Sequence, residues 1–172
     1  MNDAKNIAAK DLTLDPKDWD SMRKLAHQMV DDMMDYLQHI KEEPVWKKFP
    51  QKAKDYLQQP IPLQPESAEK IYADFKENIL PYTKGNIHPR FFSWVEGTGT
   101  PLGVMAEMLA SAMNPNVGIG EHAAMYVDYQ VIEWCKQIMN YPPSASGILL
   151  SGGSMANITA LAVARNHQTG KI

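Results

Sequence analysis

The sequence predicts an α/β fold class, in which long helices lead to the first strand of a sheet. Residues 147–151 form an apolar run with the length of a buried strand, and the helix-forming run Met155–Arg165 follows a break at Ser151–Ser154. Apolar residues recur at helical spacing along most of the preceding chain. Because a lone strand cannot satisfy its backbone hydrogen bonds, we expect either the front part of an α/β domain or pairing with another polypeptide.

Size and composition are those of an ordinary globular protein. The 172 residues are enough for one domain with a core, and the net charge of −3 argues against a nucleic-acid partner. The single cysteine, Cys135, excludes an internal disulfide and is expected to be a small core residue. No apolar run is long enough to span a membrane and Met1 is not followed by a signal-peptide pattern, so we expect a cytoplasmic location. The histidines lack metal-ligand spacing, and no metal is expected.

The first long helix is predicted to begin with Asp15 as its N-cap and Pro16 at its first position, after a loose leader over residues 1–14. Its apolar residues recur at helical spacing as far as Ile40. Nothing else in the first 60 residues is large enough to cover this stripe fully. We therefore expect an interaction helix that packs against a second subunit or another part of the polypeptide.

The middle of the chain is predicted to be helical with two irregular segments. Prolines break residues 41–65, where a short helix is expected. Pro101 starts a helix, and the pair Pro142 and Pro143 ends the last helix before the strand. The predicted helices cover about 51–58, 65–80, 101–113 and 121–140, with an aromatic, glycine-containing loop at 82–100 and a flexible turn at 114–120.

The turn Ser151–Ser154 combines features of an anion site. It lies between a predicted strand and the N-terminus of a helix, whose first turn has free N–H groups and a dipole that favours negative charge. Its glycines permit close approach of the backbone, and Ser154 offers a hydroxyl. An ordinary tight turn between a strand and a helix is the commoner meaning of such a pattern.

The segment His88–Trp94 is unusually rich in aromatic residues for a connector. It is interpreted either as a wall that faces a substrate or as a loop that its aromatic residues anchor into a core, and its position favours neither. His88 has the residue type of a general base or ligand, but a lone histidine before proline is more often structural. No set of nucleophile, base and orienting residue can be assembled from the sequence.

Taken together, these segments resemble one family. The match rests on His88–Trp94, on the helix Pro101–Met113, on the Asn114–Glu121 region and on Gly147–Asn157. In this order they resemble the N-terminal portion of the group II pyridoxal-phosphate-dependent decarboxylases, which include the aromatic-L-amino-acid decarboxylases. The resemblance covers roughly residues 15–172.

The resemblance implies a fold-type I architecture of the kind found in pyridoxal-phosphate-dependent transferases. Residues 15–85 would be a helical arm that wraps around the other subunit of a homodimer, and residues 86–172 would begin a large domain with a mainly parallel sheet. The family's phosphate-binding pair maps onto Gly153 and Ser154. The substrate pocket, formed partly across the dimer interface, would include the side chains of His88, Phe92, Trp94 and Val95.

The implied activity is that of an amino-acid carboxy-lyase with pyridoxal 5′-phosphate as cofactor. The family's Schiff-base lysine, the aspartate at the pyridine nitrogen and the stacking histidine all map beyond residue 172, so no catalytic residue is assigned here. We expect this chain to be inactive without a C-terminal remainder, whether in the same or in a complementary chain. Two alternatives stay open, namely a truncated non-catalytic dimerisation or binding module and a different fold-type I lyase.

The chain departs from the family pattern at two further places. Met155 follows Ser154 where the family usually has an acidic residue. The next helix start, Glu121–Asp128, keeps an acid at Asp128 but has Met125 where a hydroxyl is usual. The identity of the amino-acid substrate is therefore not predicted, although the aromatic loop favours a bulky or aromatic side chain.

Overall fold

A computed structural model describes residues 15–118 and 120–170. In these ranges the chain forms six α-helices and two short 3-10 turns, the latter at Ile40–Glu42 and Leu80–Tyr82. The helices are α1 (Trp19–His39), α2 (Gln51–Leu57), α3 (Ala68–Asn78), α4 (Pro101–Met113), α5 (Ala123–Ile138) and α6 (Gly153–Thr169). The predicted leader over residues 1–14 lies outside the described residues.

The start of α1 was predicted three residues too early. Asp18, and not Asp15, is the N-cap, because its Oδ1 accepts the backbone N–H groups of Asp20 at 2.9 Å and Ser21 at 3.2 Å. Its Oδ2 also accepts the Ser21 hydroxyl at 2.6 Å, and these hydrogen bonds, led by that of Ser21, lower the pKa of Asp18. A side chain that satisfies two free N–H groups outweighs the proline signal at Pro16.

The other predicted helices are confirmed with small changes at their ends. Helix α4 has the predicted bounds, and Thr100 Oγ1 accepts the backbone N–H of Gly103 at its start. Helix α3 begins at Ala68, capped by the hydroxyl of Ser67, rather than at Pro65. Helix α6 begins at Gly153 and ends where Gly170 adopts a left-handed conformation, φ +62°.

The predicted strand at 147–151 is not formed in the described residues, which contain no strand. Ile148, Leu149 and Leu150 lie in irregular backbone and are exposed. A strand exists only where a neighbour completes its ladder of hydrogen bonds, and none of the described segments lies alongside this one as a strand. The described chain is therefore helical, and the sheet of the predicted α/β domain is absent from it.

The chain divides into two units, one ending at Glu107 and one beginning at Met108. In the first unit, polar side chains join the helices. Asp32 on α1 accepts the Tyr72 hydroxyl at 2.7 Å and the Lys76 ammonium at 2.8 Å, both from α3. Asp74 on α3 accepts the Tyr56 hydroxyl from α2 at 2.7 Å. Part of the α1 surface is thus covered by α3, contrary to the expectation that nothing nearby could reach it.

Much apolar surface nevertheless stays exposed on α1, including that of Trp19 and Met29. The proposed role of this surface in binding another subunit therefore stays a prediction, as do the boundaries at 15–85 and 86–172. Cys135, expected in a core, is exposed. Within the described residues, no helix combines the length and apolar character needed to cross a membrane.

Candidate functional site

The N-terminus of α6 presents unpaired backbone donors. The first backbone hydrogen bond of the helix runs from Ala156 N–H to Gly152 C=O at 3.0 Å, so the preceding N–H groups, of Gly153, Ser154 and Met155, have no helical acceptor. Gly152, the N-cap, has no side chain to satisfy them, and the first turn contains no acidic residue. The positive end of the helix dipole is therefore open to an anion.

Gly152 determines this geometry through its backbone. Its φ of +154° and ψ of +170° lie in a region that is essentially restricted to glycine. This conformation turns the chain from the irregular segment before it into α6. Sequence analysis selected Gly153 and Ser154 but missed Gly152, although the paired glycines were the signal that could have identified it.

The space around this turn fits a phosphate group. A Cβ atom placed on Gly152 or on Gly153 would meet no atom within 4 Å, so nothing within the described chain fills the position in front of the helix. Ser154 is exposed, and its hydroxyl has no hydrogen-bond partner among the described residues. Free N–H groups, an available hydroxyl and open space are together suited to several phosphate oxygens.

The aromatic loop lies in the first unit and presents three of the four predicted pocket residues. Phe92 is 91% exposed, Trp94 is 65% exposed, and Val95 is fully exposed. Large apolar side chains at such exposure form a surface for a partner or ligand rather than an anchor in a core. Phe91 and Trp94 contact each other, with ring centroids 6.0 Å apart.

An open pocket of about 500 Å³ lies beside this loop. Lys84 Nζ lies 4.4 Å from the centroid of the Trp94 ring and also pairs with Glu96. Lys84 was missed by sequence analysis, because a lysine ten residues before a tryptophan carries no recognisable spacing. The pocket is lined by Val45, Trp46, Lys84, Arg90, Phe91, Phe92, Ser93 and Trp94.

His88, the fourth predicted pocket residue, lies at the base of the loop and is only 3% exposed. Its Nδ1 accepts the backbone N–H of Arg90 at 3.0 Å, and its carbonyl accepts that of Phe91 at 3.0 Å. Just before it, Gly85 lies so close to the backbone of Val45 that a Cβ would come within 1.8 Å of the Val45 carbonyl oxygen. The base of the loop is therefore fixed against residues 43–46.

The two groups of predicted site residues thus occupy different units. Gly153 and Ser154 lie at the start of α6, and the other predicted residues lie in the aromatic loop and its base. Within the residues that the structure describes, no group of three histidine, cysteine or acidic side chains is placed to hold a metal ion.

Comparisons with known proteins agree with this organisation. The conserved domain of pyridoxal-dependent decarboxylases matches residues 50–172. An aromatic-L-amino-acid decarboxylase of Bacillus atrophaeus is 34% identical over 149 residues, which are 85% of this chain and 31% of the relative. A phenylacetaldehyde synthase of Petunia hybrida is 32% identical over 144 residues, which are 81% of this chain and 27% of the relative.

The fold is also shared with a solved structure. Oryza sativa TDC, crystallised with PLP and tryptamine, superposes with a TM-score of 0.74 at 20% identity, over 92% of this chain and 37% of that one. The chain spans about a third of the length of the relatives it matches. These comparisons confirm the predicted resemblance and the predicted cofactor class at the level of the family.

Proposed function

The chain belongs to the pyridoxal-dependent decarboxylase family, and from this premise we propose that it is part of an enzyme that decarboxylates aromatic amino acids. In that enzyme the chain supplies the site for the cofactor phosphate and one wall of the substrate pocket. The N-terminus of α6 carries the proposal, because its free N–H groups, its glycine-only turn and the Ser154 hydroxyl form a site suited to a phosphate.

The phosphate would be held by backbone and hydroxyl donors rather than by a cation. The N–H groups of Gly153, Ser154 and Met155 donate to its oxygens, and the Ser154 hydroxyl donates one more hydrogen bond. Met155 adds no negative charge at the position where the family usually has an acid, so no like charge opposes the phosphate. Hydrogen bonds to a charged group contribute about 1.5–3 kcal/mol each.

When bound, pyridoxal phosphate supplies an electron sink for the electron pair left on the α-carbon as CO₂ departs. The residues described here bind and orient. Fixing the phosphate at the start of α6 limits where the rest of the cofactor lies. Precise placement of reacting groups lowers the entropic part of the barrier, so this site contributes to the rate although none of its residues exchanges a proton.

The substrate wall would be formed by Phe92, Trp94 and Val95. Their exposure leaves apolar and aromatic surface free to pack against an aromatic side chain, with ring pairs favouring edge-to-face or offset contact. Lys84 holds the Trp94 ring in place. We propose that His88, which is buried, supports this wall from below.

We further propose that the enzyme is a homodimer in which α1 contacts the other subunit. The exposed apolar side chains of Trp19 and Met29 are the support for this assignment. A second candidate activity is suggested by the relative from Petunia hybrida, a phenylacetaldehyde synthase at 32% identity. The same cofactor and substrate sites serve either reaction, and the product distinguishes the two.

The first test uses the natural polypeptide that carries this chain. Purified protein, reduced with borohydride and analysed by denaturing mass spectrometry, should show a pyridoxyl adduct. Incubation with tryptophan, tyrosine, phenylalanine and glutamate should release CO₂ and an amine from the aromatic substrates. An aldehyde product would favour the second candidate, and absence of both adduct and product would contradict the proposed function.

The phosphate site is tested by the Ser154→Ala variant. Loss of one hydrogen bond to a charged group should weaken pyridoxal phosphate binding about 10- to 100-fold. Ser144→Ala is the matched control, since Ser144 is an exposed serine of the same unit that lies in the turn before the irregular segment. Equal cofactor affinity in the two variants would remove Ser154 from the site.

A further inference from the structure

The side chain of His88 leaves one buried polar atom without a partner. Among the described residues, His88 Nε2 is the only fully buried side-chain nitrogen or oxygen that has no hydrogen-bond partner in the protein. Buried polar groups in native proteins are nearly always paired with protein atoms or with ordered water. An unpaired atom in a side chain that is 97% buried therefore indicates a ligand at this place.

The hydrogen bond on the other side of the ring fixes the chemistry of this atom. Nδ1 accepts the backbone N–H of Arg90 at 3.0 Å, so it carries no proton. In a neutral imidazole one nitrogen accepts and the other donates, which places the proton on Nε2. The missing partner of His88 is therefore a hydrogen-bond acceptor.

A small cavity adjoins this histidine. Its volume is about 30 Å³, and His88, Tyr36 and Thr83 are among the residues that line it. One water needs at least about 10–15 Å³ and two to four polar partners. The hydroxyls of Tyr36 and Thr83 lie 3.4 Å apart, and each can both donate and accept. The size and the lining of the cavity suit a water molecule and exclude an organic ligand.

The charged groups at the same cavity do not compete for this role. Glu43 and Lys47 also line it, but they pair with each other at 2.8 Å. Neutral hydroxyls are thus the available partners for a water that accepts from Nε2–H.

We propose that this cavity binds one internal water, which accepts from His88 Nε2–H and bonds the hydroxyl of Tyr36 or Thr83. His88 is thereby a positioning residue for the aromatic loop. Its Nδ1 and its carbonyl hold the backbone of Arg90 and Phe91, and the water joins the other edge of the ring to α1. This second statement rests on the proposed function, since it takes residues 91–95 to line the substrate pocket.

Two substitutions of His88 separate the two edges of the ring. In His88→Asn the side-chain oxygen can still accept the N–H two residues on, as asparagine does in turns, but the donor to the water is lost. In His88→Gln the longer amide keeps a donor near the position of Nε2 but loses the turn acceptor. Tyr36→Phe and Thr83→Val remove the hydroxyls at the cavity.

The water itself is tested in the natural polypeptide by thermal unfolding and crystallography. His88→Asn and Tyr36→Phe should each lower the unfolding temperature, and the double variant should lower it by less than the sum, since both remove partners of one water. Density for an ordered water at hydrogen-bond distance from Nε2 is expected. Additive shifts, a dry cavity, or Nε2 donating directly to a protein atom would overturn the site. If His88→Asn does not fold, the same comparison uses His88→Gln, and the crystal structure of the unsubstituted protein decides.

The positioning role is tested by steady-state kinetics. His88→Asn should raise KM for the aromatic amino acid several-fold with kcat and cofactor affinity nearly unchanged, because the wall moves and the phosphate site does not. His88→Gln, which keeps the donor, should recover part of this loss. An unchanged KM in His88→Asn would overturn the positioning role. A wild-type polypeptide without decarboxylase activity would contradict the proposed function, whereas the unfolding cycle and the density would still decide the water site.

Discussion

The two units of the chain are held together in different ways. In the described residues, the buried hydrophobic side chains, Leu25, Ala53 and Tyr72, all belong to the unit that ends at Glu107. In the unit that begins at Met108 the buried side chain is a lysine, Lys136, which bonds Glu133 and the carbonyl of Pro143. The first unit thus has a small core and the second has none of its own.

This difference shows what the sequence signals achieve without long-range packing. Helices α5 and α6 form over nearly their predicted lengths although most of their apolar side chains are exposed. Caps and turn residues suffice to place them, whereas the predicted strand needs neighbours that the described residues do not include. In the first unit, bonds between helices add what local signals lack.

Breaking the α1–α3 contact should have the largest effect. Asp32→Ala removes the acceptor of both Tyr72 and Lys76 and leaves the hydroxyl of Tyr72, which is 6% exposed, without its partner. Hydrogen bonds to charged groups contribute about 1.5–3 kcal/mol, and the partial exposure of Asp32 lowers the expected loss to about 2 kcal/mol. Urea unfolding of the natural polypeptide measures this free energy.

The neighbouring Asp31→Ala variant is the matched control. Asp31 is exposed on the same helix turn, so its replacement should change the free energy of unfolding by less than about 0.5 kcal/mol. Equal effects at the two positions would mean that the Asp32 hydrogen bonds do not hold the first unit together.

In the second unit, the backbone of Gly152 is the corresponding point of weakness. Gly152→Ala forces an L-residue into a glycine-only conformation, with an expected cost of about 1 kcal/mol, at the lower end for strained backbones because the exposed turn can relax. Gly153→Ala is the control, since its position is helical and its surroundings are open. Gly153→Ala should unfold like the wild type yet bind pyridoxal phosphate more weakly, because its Cβ occupies the place of the phosphate. Tight cofactor binding by both variants would contradict the phosphate site.

The α1–α3 contact also predicts a pH dependence. The hydrogen bond from Lys76, followed by that from Tyr72, lowers the pKa of Asp32. A lowered carboxyl pKa contributes stability that is present above the unfolded value, about 3.9, and is lost as the pH falls through the folded value. The stability difference between wild type and Asp32→Asn should therefore shrink below about pH 4, as followed by urea midpoints. A difference that is constant down to pH 2, or an equal trend in Asp31→Asn, would assign the acid sensitivity to other groups.

Helix positions were predictable from sequence because their signals are local. Pro101 with Thr100 fixed the start of α4, and Gly170 ended α6. The start of α1 was wrong because two acidic residues near Pro16 compete for the cap, and only the hydrogen bonds of Asp18 decide between them.

The candidate site was predictable in its residues but not in its geometry. The turn at Ser151–Ser154 identified the phosphate donors, whereas the dihedral angles of Gly152 and the burial of His88 depend on the folded backbone. The choice between a substrate wall and an anchored loop at 88–94 could not be made from composition. The structure exposes Phe92 and Trp94 while burying His88, so each interpretation describes one part of the loop.

The smallest predicted effect concerns the loop itself and asks whether the first unit also positions its exposed residues by polar contacts. Lys84→Met removes the charge over the Trp94 ring, worth about 0.5 kcal/mol at an exposed site. We expect little change in unfolding and about a twofold rise in KM for an aromatic amino acid. Lys84→Arg, which keeps a cation over the ring, should match the wild type in KM. If Met and Arg raise KM equally, Trp94 is held by its contact with Phe91 rather than by charge, and the loop resembles the second unit, where packing of exposed apolar groups decides.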